Sequence, residues 1–233
     1  MWFRVHSLHP PVKTARKGLG PASTARLQCL WTTLWKTELA DMFPGLYDDA
    51  RAAQAVAYLL HLAGGRMGIL KLTKLLYLSE RRSYELYGEP LTGDSPYSLP
   101  KGPVLSTVYD RTKNAGNLNS TWRAWIRGRT GDELALARTI NAPRDELTAL
   151  SRADLQILAT VWQEFGHLSG AQLVSHTHHA CHEWSDPQGS SQKIDPDRLL
   201  RQVGMRREDA AKQLEHLRQS ATLKDTKTRA SSI

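Results

Sequence analysis

The residues best suited to chemistry are concentrated in the segment HTHHACHEW, residues 176–184. It contains a cysteine and four histidines: His176, His178, His179, Cys181 and His182. On a helix, residues three or four positions apart share a face, which would bring His182 next to His178 and His179. Imidazole nitrogen and thiolate sulfur are ligands that zinc prefers, so one hypothesis is a metal-dependent hydrolase.

The same segment lacks features that a catalytic centre needs. It has no HExxH pattern, and no further ligand can be placed from the sequence. A catalytic cysteine is normally distant in sequence from its histidine, so Cys181 beside histidines is weak evidence for a nucleophile. The chain also has no P-loop, GxGxxG or GxSxG motif. We interpret the histidines as capping and hydrogen-bonding groups at a polar helix end, and we predict no enzymatic activity, metal or cofactor.

A second chemical feature is the segment TWRAWIRGRTGDELALAR, residues 121–138. Its alternating apolar residues and Gly-rich centre predict a hairpin of two short strands. Three arginines (Arg123, Arg127 and Arg129) lie near Trp122 and Trp125, a combination that can stack on or pair with nucleic acid. The alternative function is therefore a nucleic-acid-associated regulator. Because the charge is local and small, we interpret the arginines as the solvated face of a half-buried strand pair.

The overall charge gives the nucleic-acid hypothesis limited support. The net charge is +8, and residues 1–41 hold six Lys/Arg against two acidic residues. About half of the excess therefore lies in this first segment, and no basic stripe runs through the rest of the chain. Residues 1–41 lack hydrophobic periodicity, so we predict a basic disordered arm or a start assigned too early. Residues 28–39 are compatible with a short amphipathic helix.

Composition also indicates where in the cell the protein resides. No stretch approaches 18 consecutive apolar residues, so no membrane span is predicted. The two cysteines, Cys29 and Cys181, are too few for a disulfide framework, and their number fits the reducing cytosol. We predict a cytoplasmic protein.

The elements that would position these residues are mainly helical. A helix capped by Asp48 or Asp49 is predicted to end at Gly64-Gly65. A second, from the run GILKLTKLLYLSERRSYELYGEP, is predicted to end at Gly88. Lys71 and Lys74 interrupt its apolar run, and we interpret both as packing their stems while keeping their ammonium groups in water.

The segment LPKGPVLSTVYD, residues 99–110, contains an abrupt corner. Gly102 permits a positive φ, and Pro103 suits the first position of a helix. The sequence thus predicts a turn that aims a short helix through VLSTVYDRTKN, with a short strand in the preceding PYSLP.

The second half of the chain predicts a helix pair. Ser151 caps the first helix, which Gly166 ends, and Ser169 caps the second. Asp195 and Pro196 begin another helix, and a last one follows in REDAAKQLEHLRQS. The tail from Ser220 has no apolar periodicity and is predicted to be disordered.

Three of these segments occur in an order that resembles the Panacea domain family, the SocA-like antitoxins. They are the Leu-x-Lys-Leu-Leu-Tyr helix, the Gly-Pro-Val corner and the Gly-x-Leu-Ser helix pair that ends in His and Trp. The positions that carry the resemblance are Leu72, Lys74, Leu75, Leu76, Tyr77, Gly102, Pro103, Val104, Tyr109, Gly166, Leu168, Ser169, Leu173, His178 and Trp184. Many relatives have Ala-Trp before the corner, where this chain has PYSLP.

The resemblance implies a bacterial or phage-borne antitoxin that neutralises an adjacently encoded toxin by direct binding, with a protease as a further partner if it acts as an adaptor. The motif positions are then structural or partner-binding. The expected fold is mostly α (α+β), a compact helical domain with a two-stranded hairpin and a short extra strand. We predict a basic arm at 1–41, the Panacea-like domain at 42–218, and a disordered tail at 219–233.

Overall fold

The computed structural model describes residues 45–230, and the predictions for residues 1–41 lie outside this range. The described part is mostly helical, as the sequence predicted, and its strands form two three-stranded antiparallel sheets rather than one hairpin and a single extra strand. The helices are α1 (Asp49–Leu62), α2 (Ile69–Tyr87), α3 (Ser106–Lys113), α4 (Ser120–Arg123), α5 (Pro143–Glu146), α6 (Arg152–Phe165), α7 (Gly170–Ala180), α8 (Pro196–Gln202) and α9 (Arg207–Ala230). The strands are β1 (Arg66–Gly68), β2 (Pro96–Leu99), β3 (Gly102–Leu105), β4 (Ile126–Thr130), β5 (Glu133–Leu136) and β6 (Gln192–Lys193).

Helix α2 lies at the centre of the domain. It packs against α1, α6, α7 and strand β3. Leu72, Leu75 and Leu76 are fully buried on it, which follows from their spacing of three and four residues. Gly88 ends the helix with φ +69°, as predicted.

Each sheet consists of a hairpin and one strand from elsewhere in the chain. The predicted β4–β5 hairpin is extended by β1, which pairs with β5. The predicted strand in PYSLP is β2, and it lies between β3 and β6. The added strands β1 and β6 are only three and two residues long, too short for a hydrophobic alternation to be read in the sequence.

The start of the first predicted hairpin strand was wrong. Trp122 lies on the helical turn α4 rather than on a strand, and β4 begins at Ile126. Asn119 caps this turn by accepting from the Trp122 backbone N–H. Asp49 of α1 accepts a hydrogen bond of 2.8 Å from the buried indole Nε1 of Trp122. This contact to a residue distant in sequence cannot be read from the local pattern, and it holds Trp122 on the helical turn.

The predicted helix start at Pro103 was also wrong. Gly102 and Pro103 begin strand β3, and α3 starts only at Ser106. After the turn at Pro100-Lys101, Gly102 adopts φ +90° and the chain runs back along β2. Since β3 is an edge strand of its sheet, the missing N–H of Pro103 is tolerated there.

Asp94 caps the N-terminus of α3 from the loop that precedes β2. Its buried carboxylate accepts hydrogen bonds from the backbone N–H groups of Ser95, Thr107 and Val108, and from the hydroxyl of Ser106. The loop before β2 is thereby joined to the N-terminus of α3, whose first N–H groups otherwise lack partners.

The two helices predicted after Ser151 and Ser169 are found as α6 and α7, but each packs mainly against α2 rather than against the other. Capping boxes at Ser151–Asp154 and Ser169–Gln172 begin the two helices. The predicted caps Asp48 and Asp195 are likewise found at the starts of α1 and α8.

The tail is more ordered than predicted, because α9 continues to Ala230. Leu217 and Ala221 are buried on it, and Lys224 donates to the carbonyl of Leu46, near the start of the described residues. Docking against the first described residues thus stabilises a helix whose own periodicity is weak.

Within residues 45–230, no helix is both long enough and apolar enough to cross a lipid bilayer.

We expect Asp94→Ala to lower the free energy of unfolding by about 2–3 kcal/mol, since it leaves several buried N–H groups without an acceptor. The matched control is Asp195→Ala, which removes the exposed cap of α8 and should cost about 1 kcal/mol. Urea denaturation of both variants measures the difference, and equal losses would contradict a joining role for Asp94.

A candidate binding site around buried Lys74

The three motif segments, distant in sequence, meet at Lys74. This residue projects from α2, and its Nζ donates a 2.7 Å hydrogen bond to the carbonyl of Pro103 on β3. Gly102 lies so close that a Cβ there would be 2.8 Å from Thr177 Oγ1 and 3.1 Å from Lys74 Nζ. The same position would be 3.2 Å from Cδ2 of His178 on α7. Helix α2, strand β3 and helix α7 are therefore in contact at one point.

The prediction that Lys74 keeps its ammonium group in water was wrong. Only 1% of the residue is exposed, and the ammonium group is bonded inside the protein. Lys71 is half-buried, and its Nζ donates to the carbonyl of Gly166 and lies 5.2 Å from the ring centroid of Trp162. Both lysines therefore connect α2 to other elements.

Burial changes the charge of this cluster. Desolvation lowers the pKa of Lys74 to about 7, so the ammonium group is close to half protonated at neutral pH. The pKa of His178 is also lowered, by burial first and by the positive charge of Lys74 second. A neutral His178 beside a partly charged Lys74 is the expected state near neutrality.

His178 connects α7 to the β2–β3 turn by way of Trp184. Its ring stacks on the indole at a centroid distance of 3.9 Å and an angle of 9°. The indole Nε1 of Trp184 donates to the carbonyl of Leu99. The motif residues His178 and Trp184 thus stack on each other, and Trp184 holds the turn.

His176 and His179 contact other partners. His176 contacts the ring of Phe165, and Nδ1 of His179 is 2.6 Å from the carbonyl oxygen of Ser175. Across the part of the chain that the structure describes, no group of three or more His, Cys, Asp or Glu side chains could hold a metal ion.

A buried acid that the sequence did not single out lies next to this cluster. Glu183 accepts hydrogen bonds from Tyr77 Oη at 2.7 Å and from Arg81 Nε at 2.9 Å. Burial, and then the negative charge of Glu183, raise the pKa of Cys181 to about 12. The thiol is therefore protonated at neutral pH and a poor nucleophile. A glutamate between His182 and Trp184 gives no local signal of burial.

The remaining motif positions divide between core, turn and cap. Leu72, Leu75, Leu76 and Val104 are buried in the interior, and Tyr109 is half-buried on α3. Gly166 offers its carbonyl to Lys71, and Ser169 caps α7. That these positions serve structure or partner binding stays a prediction.

A cavity of about 570 Å³ opens beside Lys74. It lies between the start of α2, the β2–β3 turn, helix α3 and the β4–β5 turn. Its lining consists of Gly68, Ile69, Leu70, Thr73, Lys74, Leu99, Pro100, Lys101, Val104, Tyr109, Lys113, Arg129 and Asp132. Three motif residues, Lys74, Val104 and Tyr109, are therefore also cavity residues.

Comparison with protein families gives one match. Residues 72–185 match the family described as antitoxin SocA-like, Panacea domain. The matched range includes every motif residue around Lys74, from Leu72 to Trp184. Residues 72–185 belong to the Panacea domain family. Neither the comparison with curated proteins nor the comparison with solved structures gave a match.

The arginine–tryptophan segment of the Panacea domain has no free aromatic platform. Trp122 and Trp125 are buried, and the guanidinium of Arg138 lies 4.2 Å from the Trp125 ring centroid. Arg127 and Arg129 on β4 are exposed, which agrees with their interpretation as a solvated face. Stacking on bases, as considered from the sequence, is therefore not available to these indoles.

We expect Gly102→Ala to destabilise the Panacea domain more than a glycine change of similar backbone strain elsewhere. The positive φ alone costs about 1–2 kcal/mol, and displacing Thr177 and Lys74 adds about 1–3 kcal/mol. The control is Gly65→Ala, where φ is +99° and no atom lies within 4 Å of the added Cβ. Denaturation midpoints of the two variants provide the measurement, and equal losses would argue against close packing at Gly102.

Lys74 should give the Panacea domain a distinctive dependence on pH. The folded pKa is about 7 and the ordinary value is 10.5, so between these values the unfolded chain binds more protons. Stability therefore rises as pH increases through this window, by about 1 kcal/mol between pH 7.5 and 8.5.

Lys74→Met should remove this rise, whereas Lys212→Met, a change at an exposed lysine of α9, should retain it. Urea denaturation at the two pH values compares the three proteins. Parallel curves for the wild type and Lys74→Met would show that Lys74 does not titrate in this window.

Proposed function

We propose that this protein is the antitoxin of a toxin–antitoxin pair and neutralises its toxin by direct protein binding. The observation that carries the proposal is the family match over residues 72–185, which covers all three motif segments. A toxin encoded beside this chain is the partner that such a family leads us to expect.

The arrangement of the motif supports binding rather than turnover. Lys74, Gly102 and His178 contact one another inside the fold, where they hold α2, the β2–β3 hairpin and α7 in fixed positions. Rigid elements reduce the conformational entropy lost when a partner binds. We infer that the motif maintains a scaffold and that exposed residues around it recognise the toxin.

Two modes of neutralisation are compatible with such a scaffold. In the first, the bound chain covers the toxin surface and is sufficient alone. In the second, it delivers the toxin to a protease as an adaptor. The two modes differ in whether protection requires a protease, and this difference can be measured.

The test is expression of the adjacent gene in a bacterial host, alone and together with this chain. We expect growth arrest from the neighbour alone and rescue on co-expression. The purified chain should also capture the neighbour in a complex of fixed stoichiometry. The Gly65→Ala variant serves as a folded control that should still rescue.

Repeating the rescue in hosts that lack their ATP-dependent cytosolic proteases separates the modes. Rescue that persists indicates occlusion, and rescue that disappears indicates delivery to a protease.

A harmless neighbour that the chain does not capture would contradict the antitoxin proposal. Salt-dependent DNA binding without toxin capture would favour a nucleic-acid-associated regulator.

A further inference from the structure

The cavity beside Lys74 carries an excess of positive charge. Four cationic side chains line it, namely Lys74, Lys101, Lys113 and Arg129, against the single acid Asp132. Asp132 is already paired with Arg129 at 2.7 Å. Lys101 and Lys113 are exposed, and neither forms an ion pair with a carboxylate in residues 45–230. An anion entering the cavity would therefore meet Lys101 and Lys113, which no carboxylate of the described residues neutralises.

The first turn of α2 also favours an anion in the cavity. Gly68, Ile69 and Leu70 line the cavity, and Gly68 at the N-cap position provides no capping side chain. The N–H of Ile69 already donates to the carbonyl of Asp132, so the N-terminus of this 19-residue helix contributes its partial positive charge and the later N–H groups of its first turn, which phosphate groups favour. It acts here together with the four cationic side chains.

The walls between the cations are apolar. Leu70, Leu99 and Val104 contribute to the lining, and Leu70 is 37% exposed. A cavity of about 570 Å³ falls within the range of about 300–1,000 Å³ usual for small-molecule sites. It is larger than one phosphate group requires, so the ligand has space for an organic body.

We propose that this cavity binds a small phosphate-bearing molecule of about nucleotide size. Its phosphates lie against Lys101, Lys113 and the first turn of α2, and its organic body lies against Leu70, Leu99 and Val104. This proposal does not rest on the antitoxin proposal, because it is argued from the lining of the cavity alone.

Lys74 connects such a ligand to the scaffold. An ammonium group can donate three hydrogen bonds, and within residues 45–230 Lys74 makes one, with the carbonyl of Pro103. A phosphate near Lys74 would favour its protonated form and provide a further acceptor. Ligand binding would then stabilise the domain as well as fill the cavity.

Calorimetric titration of the purified full-length chain tests the proposal. The probes are pyrophosphate, magnesium-free ATP and citrate, the last as a carboxylate anion. We expect pyrophosphate and ATP to bind with a stoichiometry of one and citrate to bind more weakly. Lys101→Glu and Lys113→Glu should each weaken ATP binding at least about tenfold, since each removes a charged donor and adds repulsion.

The matched control is Lys212→Glu, which makes the same charge change at an exposed position of α9 and should alter ATP binding less than about twofold. Circular dichroism and urea denaturation confirm that the variants fold. Equal weakening by Lys212→Glu would overturn the site in favour of diffuse charge attraction. Absence of pyrophosphate and ATP binding would overturn the proposal, and citrate binding as tight as ATP binding would overturn the phosphate assignment.

Discussion

The hydrogen bond from Lys74 to the Pro103 carbonyl is the constraint on which the arrangement of the domain depends. A buried ammonium group is costly unless the surrounding structure offers it acceptors, so α2 and β3 must keep their relative positions. Gly102 leaves the space that this contact needs, and Thr177 and His178 close it from α7. One polar contact thus fixes three elements that apolar packing alone would leave freer to slide.

Buried polar contacts of the same kind occur further along α2. Glu80, also buried, accepts from the Thr92 backbone N–H and hydroxyl and from the Gly93 N–H, which holds the loop before β2. Burial raises the pKa of Glu80 to about 7. Tyr77, one turn earlier on the helix, donates to Glu183. Helix α2 therefore organises its neighbours by buried polar contacts to loops as well as by its leucines, and these contacts specify a single arrangement.

The helices could be predicted because their signals are local. Leucine spacing predicted α2, and side-chain caps predicted α1, α6, α7 and α8. The errors occurred where a distant residue decided the outcome. Pro103 lies on an edge strand because it pairs with β2, while Asp94 caps α3 further along. Trp122 lies on a helical turn that its indole hydrogen bond to Asp49 holds in place, and α9 extends to where it docks near Leu46. The sequence identified residues of the candidate site but did not show that they meet. Their meeting could not be predicted because the burial of Lys74 depends on three separate segments.

The difference between the buried motif residues and the exposed cations around them has a consequence for function. The family motif identifies what holds the scaffold together, since its polar members contact one another inside the fold. Lys101 and Lys113 lie at the exposed margin of the same cluster without a carboxylate partner among residues 45–230, whereas Arg129 beside them is paired with Asp132. Unpaired like charges that surround a cavity repel one another and so cost stability in the empty state. An anion in the cavity would relieve that repulsion. The contrast between a satisfied interior and an uncompensated cationic margin is therefore the physical reason to look for a ligand there.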